Sequence, residues 1–93
     1  MDEWTCFACG SGALCVRISD MLIIAEVRGR SGSRRITIRL DGGGASECFL
    51  DEHGYRWCSH TRNIRAAVHK IMFLASALNC ELPPHLVAYL ESL

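Results

Sequence analysis

Residues 54–78 read GYRWCSHTRNIRAAVHKIMFLASAL, and within them the apolar period lengthens from two to between three and four. From Ile64 onward, Ile64, Ala67, Val68, Ile71, Ala75 and Leu78 recur as one stripe of a helix. The hydroxyl of Ser59 or Thr61 can accept from the free amides of a first helical turn, so the helix is expected over residues 61–79. Everything before it reads as sheet that the stripe covers.

Working back from the helix, Tyr55, Arg56, Trp57 and Cys58 form a strand, joined to residues 47–50 through Asp51, Glu52, His53 and Gly54. Pairing Leu50 with Tyr55 sets Cys48 opposite Trp57 and buries the indole. A flexible loop, Asp41-Gly42-Gly43-Gly44, precedes that hairpin. Earlier still, Ile36, Ile38 and Leu40 alternate with polar residues, as do Met21, Ile23, Ala25 and Val27, and Leu14, Val16 and Ile18. A two-residue connection at Ser19-Asp20 pairs Ile18 with Met21. A turn centred on Ser31-Gly32 pairs Val27 with Ile36 and sets Arg28 opposite Arg35. Like charges directly across a strand pair repel, so that end is expected to splay into water or meet an anion.

Working forward, Pro83 and Pro84 break the long helix and restart a second over residues 83–93, with Leu86, Val87, Leu90 and Leu93 as its stripe. Met72 and Phe73 flank the first stripe and are expected to pack on that second helix. The fold class is therefore α+β: a four- to five-stranded antiparallel β-meander packed against one long C-terminal helix plus a short terminal helix. All 93 residues fall in a single domain.

Composition narrows the function. A chain this short buries only about 60 to 65% of its unfolded surface, so its core is adequate rather than generous. Ten Lys and Arg balance ten Asp and Glu, and the net charge of zero removes the long-range field by which non-specific nucleic-acid binders gather their ligand. Any anionic partner must be read by a local patch. No run approaches the roughly 20 apolar residues that span a bilayer, and the acidic start is not a signal peptide, so the expected location is cytoplasmic, with no membrane partner. In a reducing compartment the six cysteines are expected as thiols or zinc ligands rather than disulfides.

Cys6, Cys9, Cys58 and His60 make the candidate set for a structural zinc, the first pair in a Cys-x-x-Cys-Gly knuckle and the second just before the helix. The alternative is that these thiols pack as small hydrophobes, as expected of Cys15, Cys48 and Cys80. A cysteine nucleophile could be drawn from Cys58 with His60 or His69, but nothing supplies an orienting residue or oxyanion donors, and no enzyme is expected. Two basic clusters are the candidate partner-binding residues: Arg28, Arg30, Arg34, Arg35 and Arg39 along one hairpin, and Arg62, Arg65 and Lys70 with His69 on the helix. Guanidinium groups fork onto phosphate or carboxylate, so these clusters suit direct nucleic-acid contact or an acidic protein surface.

The segment from Asp51-Glu52-His53-Gly54-Tyr55 through Thr61 to Ala66-Ala67 resembles a strand, turn, strand, helix unit of small phage and mobile-element proteins, among them anti-CRISPR inhibitors. The resemblance covers about a quarter of the chain. It implies a stand-alone, non-enzymatic inhibitor that binds a protein complex handling nucleic acid by occupying its surface. The other function carried forward is a zinc-stabilised nucleic-acid-binding regulatory module.

Overall fold

The computed structural model describes residues 3–30 and 32–93. Six strands run in chain order, each antiparallel to the next: β1 (Trp4–Phe7), β2 (Ala13–Ile18), β3 (Leu22–Gly29), β4 (Gly32–Arg39), β5 (Ala45–Asp51) and β6 (Arg56–Thr61). Two helices follow, α1 (Ile64–Ala77) and α2 (Pro84–Glu91). The α+β meander is as the alternation predicts, with one strand more than the expected four or five. The extra strand is β1, pairing Trp4 with Arg17 and Phe7 with Leu14, where the sequence suggested a zinc knuckle.

One face of the sheet carries Leu14, Val16, Ile23, Ala25, Val27, Ile36, Ile38 and Ala45, and α1 and α2 close over it with Ala67, Val68, Ile71, Ala75, Leu86 and Leu90. Every buried side chain among the described residues is apolar. Burying a large aliphatic side chain is worth about 1.5 to 3 kcal/mol, so Leu14, Ile23, Ile36, Ile38, Ile71 and Leu90, each almost wholly enclosed, carry much of the stability.

The opposite face has no helical layer. Across it the register lines up Cys6, Cys15, Glu26, Arg35, Cys48 and Cys58 in one row that touches all six strands. Disulfides join Cys6 to Cys15 and Cys48 to Cys58 at its two ends, and Arg35 reaches Glu26 at 3.2 Å in its middle. Covalent and ionic links thus stand on this face where the other has a core. A third disulfide, Cys9–Cys80, joins residues 71 apart.

These pairings overturn the expectation of free thiols, for Cys15, Cys48 and Cys80 as much as for Cys6, Cys9 and Cys58. All six cysteines are bonded. Full pairing is the state of cysteines in an oxidising compartment, so the expectation of thiols, which followed from a cytoplasmic location, no longer stands. No helix among the described residues is long and apolar enough to cross a membrane.

Registers depart from expectation in two ways. Ile18 faces Ile23 rather than Met21, and Ala25 faces Ile36 rather than Ile38. Each is a slip of two, which keeps every side chain on its face. It also sets Arg28 opposite Ser33, so the expected clash with Arg35 does not arise, and Met21 sits exposed in the connection. The expected turn centre Ser31-Gly32 has its first residue outside the described residues, while Gly32 pairs with Gly29. Between β5 and β6 the slip is one residue: Leu50 faces Arg56, Phe49 faces Trp57 and Cys48 faces Cys58. Odd slips exchange faces, so Trp57 lies on the helix side of the sheet, beyond the helix, and is 53% exposed.

Asn63, rather than Ser59 or Thr61, caps α1, its Oδ1 accepting from the Ala66 amide at 3.2 Å. Thr61 stands one step outside, its Oγ1 accepting from the Asn63 amide at 3.1 Å. The helix ends in a Schellman closure: Asn79 takes a left-handed φ of 54°, the Cys80 amide donates to Ala75 O and the Asn79 amide to Ser76 O. The N-terminal segment docks on that end. The Gly10 amide donates to Leu78 O at 3.0 Å, the Glu81 amide donates to Ala8 O at 2.9 Å, and the Cys9–Cys80 bond lies between them. The glycine of the Cys-x-x-Cys-Gly run therefore serves a helix terminus.

Candidate functional site

α1 packs on β4 and β5, which leaves β6 outside the helical layer at the end of the sheet. All six residues of β6 are exposed. Gly44 sits at the foot of this end with φ 76°, where any Cβ would collide with the Thr61 carbonyl. The glycine loop that the sequence left unplaced thus brings β5 tightly against the last residue of β6.

Between α1 and the β5–β6 pair runs a groove of about 580 Å³, with Ala66, His69, Lys70 and Phe73 on the helical bank and Glu47, Ser59 and Thr61 on the sheet. Phe73 does not pack on α2 as expected; it stands 66% exposed on the rim, because its direction on the helix points to β6. Met72, on the other flank, does pack against the core. Further along the same side of α1 lies a second hollow of about 400 Å³, between Leu74 and Ala77 of the helix and Phe49 and Trp57 of the sheet. Phe49 and Trp57 stack with centroids 5.4 Å apart, and the Arg34 guanidinium lies 4.4 Å above the Phe49 ring. Trp57 therefore meets solvent across one face of a fixed aromatic pair.

The two arginine clusters have different fates. On the β3–β4 hairpin Arg34 reaches Glu47 at 3.3 Å, Arg35 reaches Glu26 at 3.2 Å and Arg39 reaches Asp41 at 3.4 Å. These carboxylates answer three of the five charges, and only Arg28 and Arg30 make no ion pair among the described residues. Glu47 Oε2 is closed off from solvent, and its approach to Arg34 is an ion contact without the alignment of a hydrogen bond. The Arg39 hydrogen bond and the Gly43 amide hold the Asp41 carboxyl below its ordinary range. By contrast, Arg62, Arg65 and Lys70 meet no carboxylate among the described residues, and neither does Arg56, which the sequence reading left out of its binding set. The missed signal is positional: Arg56 and Trp57 are adjacent on a terminal strand of a meander, where both faces and one edge are open.

The metal set does not assemble. Cys6 is bonded to Cys15, Cys9 to Cys80 and Cys58 to Cys48, so three of the four expected ligands are disulfide sulfurs in three different bonds. His60 is left without a thiolate beside it. Among the described residues no three His, Cys, Asp or Glu side chains converge as metal ligands. The sequence did hold a signal for the bonds. Hairpins that can set Cys6 opposite Cys15 and Cys48 opposite Cys58 need only short reversals, and an even cysteine count satisfies itself in pairs.

Comparison with protein-family models, with curated proteins and with solved structures finds no match.

Proposed function

We propose that this chain is a small non-enzymatic binding protein that works by occupying the surface of a partner protein. The observation that carries the reading is the pair of adjoining hollows between α1 and the sheet, where Phe73 at the rim of the first and Trp57 in the second, two large aromatic side chains, stand more than half exposed near a strand whose outer edge is open. Aromatic side chains bring large apolar area at low entropic cost and dominate protein interfaces.

The zinc-stabilised nucleic-acid module loses its support, since three of its four metal ligands are in disulfides and three of the five arginines of its hairpin are paired with carboxylates. The test is capture by immobilised chain from the cells that produce it, comparing the native protein with Phe73→Asp and Trp57→Ser. A specific protein retained by the native chain and lost by both variants, at unchanged melting temperature, is the expected result. An inhibitor of a nucleic-acid-handling complex would retain that complex's subunits in this experiment. Equal capture by native and variant chains would overturn the reading. Retention should fall only modestly with salt, because the apolar contacts release no counterions and few charges meet; a fall as steep as several phosphate contacts give would assign the surface to nucleic acid instead.

A further inference from the structure

We infer that β6 takes up an extended segment of the partner protein as a seventh strand, and that this segment alternates acidic with apolar residues. The inference rests on the binding reading above and names the partner's chemistry. A terminal strand presents a row of unused backbone donors and acceptors, and folded proteins ordinarily blunt such an edge with proline, lysine or a covering element. β6 reads Arg-Trp-Cys-Ser-His-Thr, has no proline, lysine or cover and a single fixed charge, Arg56 at one end, and is exposed along its whole length. The Cys48–Cys58 bond ties it to β5, so the edge is held as a template rather than left to fray.

Register then dictates what an added strand must carry. Trp57, Ser59 and Thr61 face the helix side, opposite Phe49, Glu47 and Ala45, while Arg56 and His60 face the other way. An incoming strand alternates in step with them. Its helix-side residues lie over Trp57 and along the groove that Phe73 rims, which calls for apolar side chains. Residues on the other side lie beside Arg56 and the approach to Arg62, which calls for carboxylates.

Charge separates this occupant from the alternatives. Between Glu52 and Glu81 the chain has Arg56, Arg62, Arg65 and Lys70 and no acidic residue, although the whole molecule is neutral. A second copy pairing antiparallel on β6 with Ser59 opposite Ser59 would set Arg56 opposite the copy's Arg62, which is unfavourable across a strand pair. A nucleic-acid strand could meet the cations but has no peptide groups to complete the ladder.

The probe is a capped heptapeptide alternating glutamate and valine. Its controls are the same peptide with alternate amides methylated, its lysine–valine counterpart, and oligothymidylate. Amide hydrogen exchange and chemical shifts of the native protein give the readout. The glutamate peptide should slow exchange of outward-facing β6 amides by about tenfold or more at saturation. Methylated and lysine peptides should lose this protection, and Arg56→Glu with Arg62→Glu should shift preference to the lysine peptide. Unprotected β6 amides, or equal binding of the methylated peptide, would overturn the proposal. So would oligothymidylate acting on those amides in the peptide's place, or a dimer in sedimentation that Arg56→Glu strengthens. If the peptide fails while capture still depends on Phe73 and Trp57, the seventh strand is wrong and the binding reading stands; if both fail, both are wrong.

Discussion

The two ends of the sheet are built from the same kind of strand and finished in opposite ways. At the β1 end the strand has four residues, α2 lies beside it with Leu86 and Tyr89 near Phe7, Val16 and Ile18, and the chain beyond it is bonded through Cys9–Cys80 to the end of α1. At the β6 end the strand has six residues, no helix lies over it, and its one covalent tie, Cys48–Cys58, runs back to its own neighbour. One end is closed by contacts from distant parts of the chain, the other only by local ones. Stability should therefore depend mainly on the first and binding on the second.

Removing the disulfides gives the largest test of that contrast. Cys9→Ser with Cys80→Ser should cost about 4 kcal/mol, because the bond restrains a loop of roughly 70 residues in the unfolded chain, whereas Cys48→Ser with Cys58→Ser restrains about ten and should cost nearer 2.5 kcal/mol. Denaturant unfolding measures both, and a reversed order would mean that the β6 end carries the fold. Next, Leu86→Ala should lose about 3 kcal/mol from the closed end, since that side chain is 6% exposed, while Trp57→Ala should lose about 1 kcal/mol, mainly its stacking on Phe49. A loss of 3 kcal/mol or more at Trp57 would restore the register in which the indole is buried.

A smaller effect separates two arginines of one strand. Arg34→Ala should cost about 1 to 2 kcal/mol, because it strands the enclosed Glu47 carboxylate and uncovers Phe49, but Arg35→Ala only about 0.5 kcal/mol, its pair with Glu26 being solvated. Equal values in thermal melts would mean that the groove floor does not need its cation. The smallest effect is at Asp41. Its carboxyl titrates lower in the folded chain than when unfolded, so its slight stabilisation is complete above the unfolded value and fades as pH falls through the folded one. Asp41→Asn should flatten that acid dependence, lowering the melting temperature slightly at neutral pH and leaving it unchanged once the pH is below the folded value.

How much the sequence disclosed follows from the same contrast. Periodicity located α1 and the buried residues of β2, β3 and β4, because their apolar residues alternate cleanly and a slip of two leaves the pattern intact. Alternation failed between β5 and β6, where Cys48, Phe49 and Leu50 are consecutive and apolar, so the pattern does not choose a face and one residue of slip passed unseen. Strand β1 was hidden because its Cys6, with Cys9 just beyond the strand, spells half a metal motif. The candidate site was legible in part: Arg62, Arg65 and Lys70 were found, but which arginines on the hairpin are already matched depends on Glu26, Glu47 and Asp41 across strands. Cross-strand partners become visible only once the register is known.

The Cys9–Cys80 bond has a mechanical consequence. A pull applied at the two ends of the chain would travel from Cys9 through the sulfurs to Cys80, bypassing everything between them. Strands β3 to β6 and α1 would be bypassed, β2 would be loaded only through its ladder and its Cys6–Cys15 bond with β1, and the segment after Cys80, α2 included, could be drawn out. The strand with the open edge would keep its shape while the protein was under tension.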